Sequence, residues 1–295
     1  MIDFDNQLEL QKRYQITSEE RERFLKEVIA YFTTGKNSTN EPTFFFASGQ
    51  PGCGKTQLVK KINLEQNGNA VIYTFDEVRA LHPRFEQANR ELNGDVHAAL
   101  FPDTDLAINK IEEYCRNHKL SAVRESTMRR KDDIIETAYF FKQAGYRIEG
   151  RLMAVPKMES YESMVHRYAM QLENDEPARW ITQEVHDVTY DKIVDTVRYV
   201  TDNNLLDRMV IYRRGDISKG ELPVEIYSTE GKQFANPVEA LEYGRTHDLK
   251  HHTPAFLSEI KKTVDIITKK APAHIKDLDY LKDFYSANVG EIECK

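Results

Sequence analysis

Gly49-Gln50-Pro51-Gly52-Cys53-Gly54-Lys55-Thr56 sets three glycines ahead of a lysine and a threonine. The apolar run 43–48 precedes it, and Gln57 opens a stretch that reads as a helix. Strand, glycine loop and helix in this order make a phosphate cradle. The glycines let successive backbone N–H groups converge on phosphate oxygens, and the helix N-terminus adds partial positive charge. Lys55 is placed to reach the β- and γ-phosphates, and the Thr56 hydroxyl to hold Mg²⁺. The segment Gly49–Gln57 therefore predicts binding of ATP, or of GTP in its place, with Mg²⁺.

Phosphoryl transfer needs more than a cradle. It needs a group that orients or deprotonates the acceptor, and cations for the developing charge. Asp76 follows the apolar run 70–75 and suits the first role; it also suits a helix N-cap, and one residue can do both. Glu125 closes the apolar run 121–125 and is followed by Ser126, Thr127, Met128, Arg129 and Arg130. These groups suit a polar acceptor, or a capped loop before the next helix. Arg124, inside that run, faces the P-loop or marks a sheet edge. Arg167 and Arg179 read either as lid cations over the transferring phosphoryl or as surface ion-pair partners.

Other polar residues carry less. The nine histidines form no H-E-x-x-H motif, the i, i+4 pair His247/His251 lacks the glutamate of one, and His82-Pro83 and His186-Asp187 stand alone, so a histidine metal site is not expected. The three cysteines, Cys53, Cys115 and Cys294, have unrelated spacings and suit a reducing compartment. Cys53 within the loop is a small filler or a redox-sensitive thiol.

The elements that position these groups alternate. An amphipathic helix spans 17–34, with a Thr17/Glu20 capping box and an apolar stripe of Phe24, Val28, Ile29 and Phe32. Strands are expected at 43–48, 70–75, 121–125, 147–155 and 209–212. Interrupted helix fills 77–118, and helices follow at 132–144, 158–173 and 183–204. A last strand at 224–227 pairs as a hairpin with 209–213, and 236–295 holds two or three helices. The pattern predicts an α/β fold of three layers, with a mostly parallel central sheet, a helical lid and a C-terminal helical appendage. Ligands of such sheets lie beyond the carboxyl ends of the strands, where the P-loop, Asp76 and Glu125 fall.

Against 41 basic side chains stand 48 acidic ones, a net charge of −7 over 295 residues, which argues against a nucleic-acid partner. Lys261-Lys262 and Lys269-Lys270 read as solvated helix faces. With 30% charged residues and no long apolar run, no membrane span is expected. Met1–Asn6 has neither a basic nor an apolar leader segment, so a cytoplasmic protein is expected.

Three further stretches make the pattern specific: Phe75-Asp76-Glu77-Val78-Arg79-Ala80-Leu81-His82-Pro83, Met153-Ala154-Val155-Pro156-Lys157-Met158-Glu159-Ser160-Tyr161, and His166-Arg167-Tyr168 followed by Ala178-Arg179 and His186-Asp187. Together with the P-loop, their order and spacing over residues 20–230 resemble the zeta toxin family. The resemblance implies a bacterial P-loop kinase that phosphorylates a sugar hydroxyl of UDP-N-acetylglucosamine and is blocked by a small helical antitoxin. It implies Lys55 and Thr56 on ATP and Mg²⁺, and Asp76 as base. Glu125, Ser126, Thr127, Arg129 and Thr137 then serve the acceptor, and Arg167 and Arg179 the lid. The family's loop after the third strand reads Glu-Gly-Thr-Gly-Arg, where this chain has Ser126 and Met128 for the glycines. A family acidic contact falls on Asn109, with Asp103 or Asp105 as substitutes.

Three readings follow: a toxin-type UDP-sugar kinase; a P-loop kinase of another small metabolite or antibiotic; and a nucleotide-dependent interaction protein without catalysis. An intact set of Lys55, Thr56, Asp76, Arg167 and Arg179 disfavours the third. Residues 1–230 are expected to form the kinase domain, and 231–295 a helical extension packed on it.

Overall fold

A computed structural model describes residues 4–92, 96–176, 178–216, 219–231, 234–247 and 253–293. The six strands are β1 (Thr43–Ser48), β2 (Val71–Tyr73), β3 (Ala122–Ser126), β4 (Arg147–Met153), β5 (Arg208–Arg213) and β6 (Val224–Ser228). They form one sheet in the order β2-β3-β1-β4-β5-β6. β2 and β3 run parallel, with Tyr73 opposite Arg124, and β5 and β6 form an antiparallel hairpin with an irregularity at Ile211/Tyr212. Helices occupy the connections, so the fold is α/β with a mostly parallel sheet.

The chain divides into two compact units. The first comprises residues 1–47, 59–126 and 136–149. It begins with α1 (Phe4–Arg13) and α2 (Ser18–Thr33). Thr17 and Glu20 form the expected capping box, and Phe24, Val28 and Phe32 of α2 are buried. Its other helices are most of α3 (Lys55–Glu65), α4 (Phe75–Ala80), α5 (Phe85–Glu91), α6 (His97–His118) and part of α7 (Lys131–Gln143). Phe44, Phe46, Phe141 and Tyr146 form an aromatic core with edge and tilted contacts.

α1 is not assigned by the sequence pattern. It packs on α6, and Tyr14 just beyond it is buried with its hydroxyl donating to Glu91 at 2.7 Å. Arg124 neither marks an edge nor serves a phosphate. It lies on an interior strand, 2% exposed, with Glu112 of α6 at 3.1 Å and its guanidinium over Phe44 and Phe46. The Tyr73 hydroxyl donates to the same carboxylate at 2.7 Å. Asp103 is likewise committed inward. Arg21 donates to it at 2.6 Å, and His82 Nε2 lies 3.4 Å away. Burial works to raise the Asp103 carboxyl, but the His82 and Arg21 contacts overcome it and hold the group below its ordinary range.

The second unit comprises residues 48–58, 127–135 and 150–295. It contains α8 (Lys157–Glu173), α9 (Gln183–Asp202), α10 (Pro237–Thr246), α11 (Pro254–Lys270), a 3₁₀ turn (Pro272–Leu278) and α12 (Asp279–Glu293). Its main core lies between α8 and the C-terminal helices, with Tyr161, Val165 and Ala169 against Leu257, Ile260, Ile267 and Leu281. α10 holds α9 through Arg245, which stacks 3.7 Å from the Tyr190 ring centroid and donates to the Tyr190 carbonyl at 2.9 Å. Among the described residues no helix is long and apolar enough to cross a membrane.

Glu112 balances a buried guanidinium, so its loss leaves an uncompensated charge. Glu112→Ala is expected to cost about 3–5 kcal/mol of stability. Urea unfolding checks this, and a cost below about 1 kcal/mol contradicts the role of the pair.

Candidate phosphate site and lid

β1 delivers the chain into the loop, and three glycines there take backbone conformations that side chains rarely adopt: φ is 149° at Gly49, 75° at Gly52 and 96° at Gly54. Gly52 is the most constrained. A Cβ built on it would stand 1.9 Å from the Ser160 carbonyl oxygen on α8. The loop thus lies directly on α8 backbone.

Side chains then hold the loop from beneath and from the side. Gln50 is fully buried, and its Nε2 donates to the Val155 carbonyl at 2.9 Å and to Ser160 Oγ at 3.2 Å. Arg214, the residue after β5, donates through Nη2 to the Gly52 carbonyl and through Nε to the Cys53 carbonyl at 3.3 Å. Lys55 Nζ donates to the Gly49 and Gln50 carbonyls at 3.1 and 3.2 Å. Cys53 is wholly buried beneath the loop, which fits a filler and denies oxidants access to its thiol.

These bonds leave a defined set of donors. Cys53 N–H donates to Gln50, and the N–H groups of Gln57 and Leu58 to Gly54. Pro51 has none. The N–H groups of Gly52, Gly54, Lys55 and Thr56, like those of Gly49 and Gln50 at the start of the loop, have no acceptor among the described residues. They cluster at the start of α3, the geometry that receives an anion. The Thr56 side chain is exposed in that first turn, and its hydroxyl has no partner among the described residues, which suits a Mg²⁺ ligand.

The lid candidates lie on α8 and on the segment between α8 and α9. Arg167 is exposed and makes no ion pair among the described residues, so the surface salt-bridge reading does not hold for it. Arg179 is exposed too, and its interactions do engage it. His186 and Asp187 belong to neither a triad nor a metal site. His186 Nε2 meets Ser160 Oγ at 2.9 Å and its Nδ1 meets Asp187 at 3.0 Å, while Lys157 pairs with Asp187 at 3.1 Å. Ser160 and His186 are fully buried, so no acceptor reaches that hydroxyl. The chain Gln50–Ser160–His186–Asp187–Lys157 instead ties the P-loop to α8 and α9.

In the first unit, Asp76 lies in the first turn of α4, three residues past β2. Thr74 caps that helix by accepting from Glu77 N–H, so Asp76 is not the cap. Arg79, 4% exposed, donates to Asp76 Oδ1 at 2.6 Å and approaches His97 Nδ1 at 2.9 Å, which orients the largely exposed carboxylate. Glu125 and Ser126 close the neighbouring parallel strand, both half-buried, and Thr137 on α7 is 6% exposed. Asn109 donates to Asp105 at 3.3 Å.

Thr127 and Arg129 belong to the second unit, half-buried and exposed respectively. Met128 between them has φ 56° and is 2% exposed. The left-handed backbone that a glycine would adopt freely is thus kept by a methionine whose side chain turns inward. Arg214 and the Ser160–His186 contact had escaped the sequence reading. The rule that found Asp76 and Glu125, a polar residue at a strand's carboxyl end, applies equally to Arg214.

A glycine-loop cradle at a helix N-terminus on an α/β sheet defines a P-loop protein of the phosphate-transfer type. The family model for the zeta toxin matches residues 29–220, and the chain belongs to that family. Its relatives include Toxin zeta of Streptococcus pyogenes, 27% identical over 227 residues, 77% of either chain. Toxin PezT of Streptococcus pneumoniae is 30% identical over 204 residues, 67% of this chain and 79% of the relative. Among solved structures, the fold is similar to that of the pneumococcal PezAT toxin–antitoxin system, with a TM-score of 0.75 at 21% identity, covering 87% of this chain and all of that one. The AvrRxo1-ORF1:-ORF2 structure with ATP is more distant, with a TM-score of 0.57 at 14% identity over 88% of this chain and 89% of that one.

Two outcomes test the loop. Gly52→Ala adds a left-handed penalty to a clash with α8 backbone, together roughly 2–5 kcal/mol; an unchanged melting temperature contradicts this packing. Burial holds His186 below its ordinary value of 6.5, so the folded state stays neutral where the unfolded chain takes a proton. The site's stability is present above that value and lost as pH falls through the folded value. On acidification the wild type should therefore lose stability more steeply than His186→Gln, and parallel pH profiles of melting temperature contradict the assignment.

Proposed function

We propose that the chain is an ATP-dependent phosphotransferase whose acceptor is a sugar hydroxyl of UDP-N-acetylglucosamine or a related UDP-sugar. It acts in the bacterial cytoplasm and is neutralised by a cognate antitoxin. The observation that carries the first half is the set of N–H donors at Gly52, Gly54, Lys55 and Thr56, which have no acceptor among the described residues. Family membership and the toxin–antitoxin setting of the PezAT relative support the second half.

In this reading the four N–H groups and Lys55 hold the β- and γ-phosphates of ATP. Thr56 would hold a Mg²⁺ ion, which when bound would supply charge neutralisation. Asp76, oriented by Arg79, accepts the proton of the acceptor hydroxyl as the hydroxyl oxygen attacks the γ-phosphorus, and ADP leaves with the bridging oxygen. Arg167 and Arg179 offset the negative charge that spreads over the transferring group. Glu125, Ser126, Thr127, Arg129 and Thr137 serve acceptor recognition. Ser126 and the inward-turned Met128 favour, as a second reading, a different hydroxyl metabolite as acceptor.

The purified chain with ATP, Mg²⁺ and a panel of UDP-sugars and other hydroxyl metabolites should yield a phosphorylated UDP-sugar by mass spectrometry. A different phosphorylated product with no UDP-sugar product would replace the first reading with the second. Asp76→Ala should keep ATP affinity and abolish transfer. Arg167→Ala is expected to lower the rate on the order of a thousandfold, and a loss of only a few-fold would make it a surface residue.

A further inference from the structure

We propose that Glu162, His166 and Glu259 form a binding site for a divalent cation of the zinc class, where α8 packs on α11. Glu162 and His166 are one turn apart on α8, and Glu259 and Thr263 one turn apart on α11, so both helices present donors to one point. One donor atom from each of the three residues lies within 4.8 Å of the others. Glu259 Oε1 is 3.5 Å from His166 Nε2, and Glu162 Oε1 is 3.9 Å from His166 Nδ1. The Thr263 hydroxyl completes the cluster, 2.8 Å from His166 Nδ1 and 3.4 Å from Glu162 Oε1.

Burial is the second, independent observation. Glu162 is 1% exposed, and among the described residues the imidazole of His166 is the one basic group within 4.0 Å of its carboxylate. Arg214 acts on it only from beyond that distance, as a weaker influence than Glu259. A carboxylate buried beside a second carboxylate is costly while charged, and either takes a proton or gains a compensating positive charge. A divalent cation supplies that charge and is matched by the donor set: two carboxylates and one imidazole, with a fourth position for water. Donors about 2.0–2.2 Å from zinc stand closer together than these do, a closure within reach of side-chain rotation. The Glu259 side chain is 46% exposed and gives the ion an entry path. Occupancy would fasten the C-terminal helices to α8 beside Arg167, the proposed lid cation.

The test uses the full chain, stripped with chelator, desalted and titrated with ZnCl₂ by calorimetry, with thermal denaturation in parallel. One equivalent should bind and raise the melting temperature. Glu259→Gln, a half-exposed position that the fold tolerates, should weaken binding by more than about tenfold and remove the thermal shift. Glu162→Gln should do the same, and both variants should bind ATP as the wild type does. No saturable binding, or equal zinc affinity in Glu259→Gln, overturns the site. The outcome is independent of phosphotransferase activity.

Discussion

The contact between Gly52 and the Ser160 carbonyl fixes the second unit's functional geometry. A loop with a side chain at that position cannot lie on α8, because even one methyl group overlaps the helix backbone. With glycine there, the loop settles onto the helix. Gln50 then reaches the Val155 carbonyl and Ser160, and Arg214 reaches the Gly52 and Cys53 carbonyls. These bonds and those of Lys55 engage the Gly49, Gln50, Gly52 and Cys53 carbonyls and the Gln50 NH₂ group, and leave N–H donors without protein acceptors among the described residues. An anion site is thus built by subtraction, from what the rest of the loop has already satisfied. The same helix that receives Gly52 carries Arg167, and through Ser160 and His186 it holds α9. The loop, α8 and α9 therefore share one buried polar seam through Gln50, Ser160 and His186.

The first unit uses buried charge differently. Arg124 and Glu112 sit within an aromatic shell, and Asp103 gathers Arg21 and His82. Each is paired, as burial requires. Their effect is to lock α6 against β2, β3 and α2. Against that frame α4 is short, capped by Thr74, and presents Asp76 with Arg79 anchored behind it. A carboxylate proposed as a base gains from such support, since one arginine sets its direction while the carboxylate stays largely exposed.

Much of this was legible in the residues. The P-loop, the alternation of strands and helices, the Thr17 capping box and the β5–β6 hairpin all follow from local spacing, and local chemistry decides them. Arg124, Asp103 and His186 were harder because their meaning lies in partners far along the chain. A charged residue in an apolar strand signals a buried pair, but nothing in the sequence says that the pair is Glu112. Met128 illustrates the limit from the other side. Replacing a family glycine suggested a changed backbone near the acceptor, yet the left-handed conformation survives and the side chain is buried. The bulk of Met128 therefore goes into the core.

The central claim is that four backbone amides, and not the whole loop, receive the phosphates. Amide-resolved NMR of isotopically labelled protein titrated with ATP and Mg²⁺ addresses it directly. Gly52, Gly54, Lys55 and Thr56 should show the large downfield proton shifts of new hydrogen bonds. Cys53, Gln57 and Leu58, already bonded within the loop, should move little. Shifts of equal size across all seven amides, or none at the first four, would contradict the account.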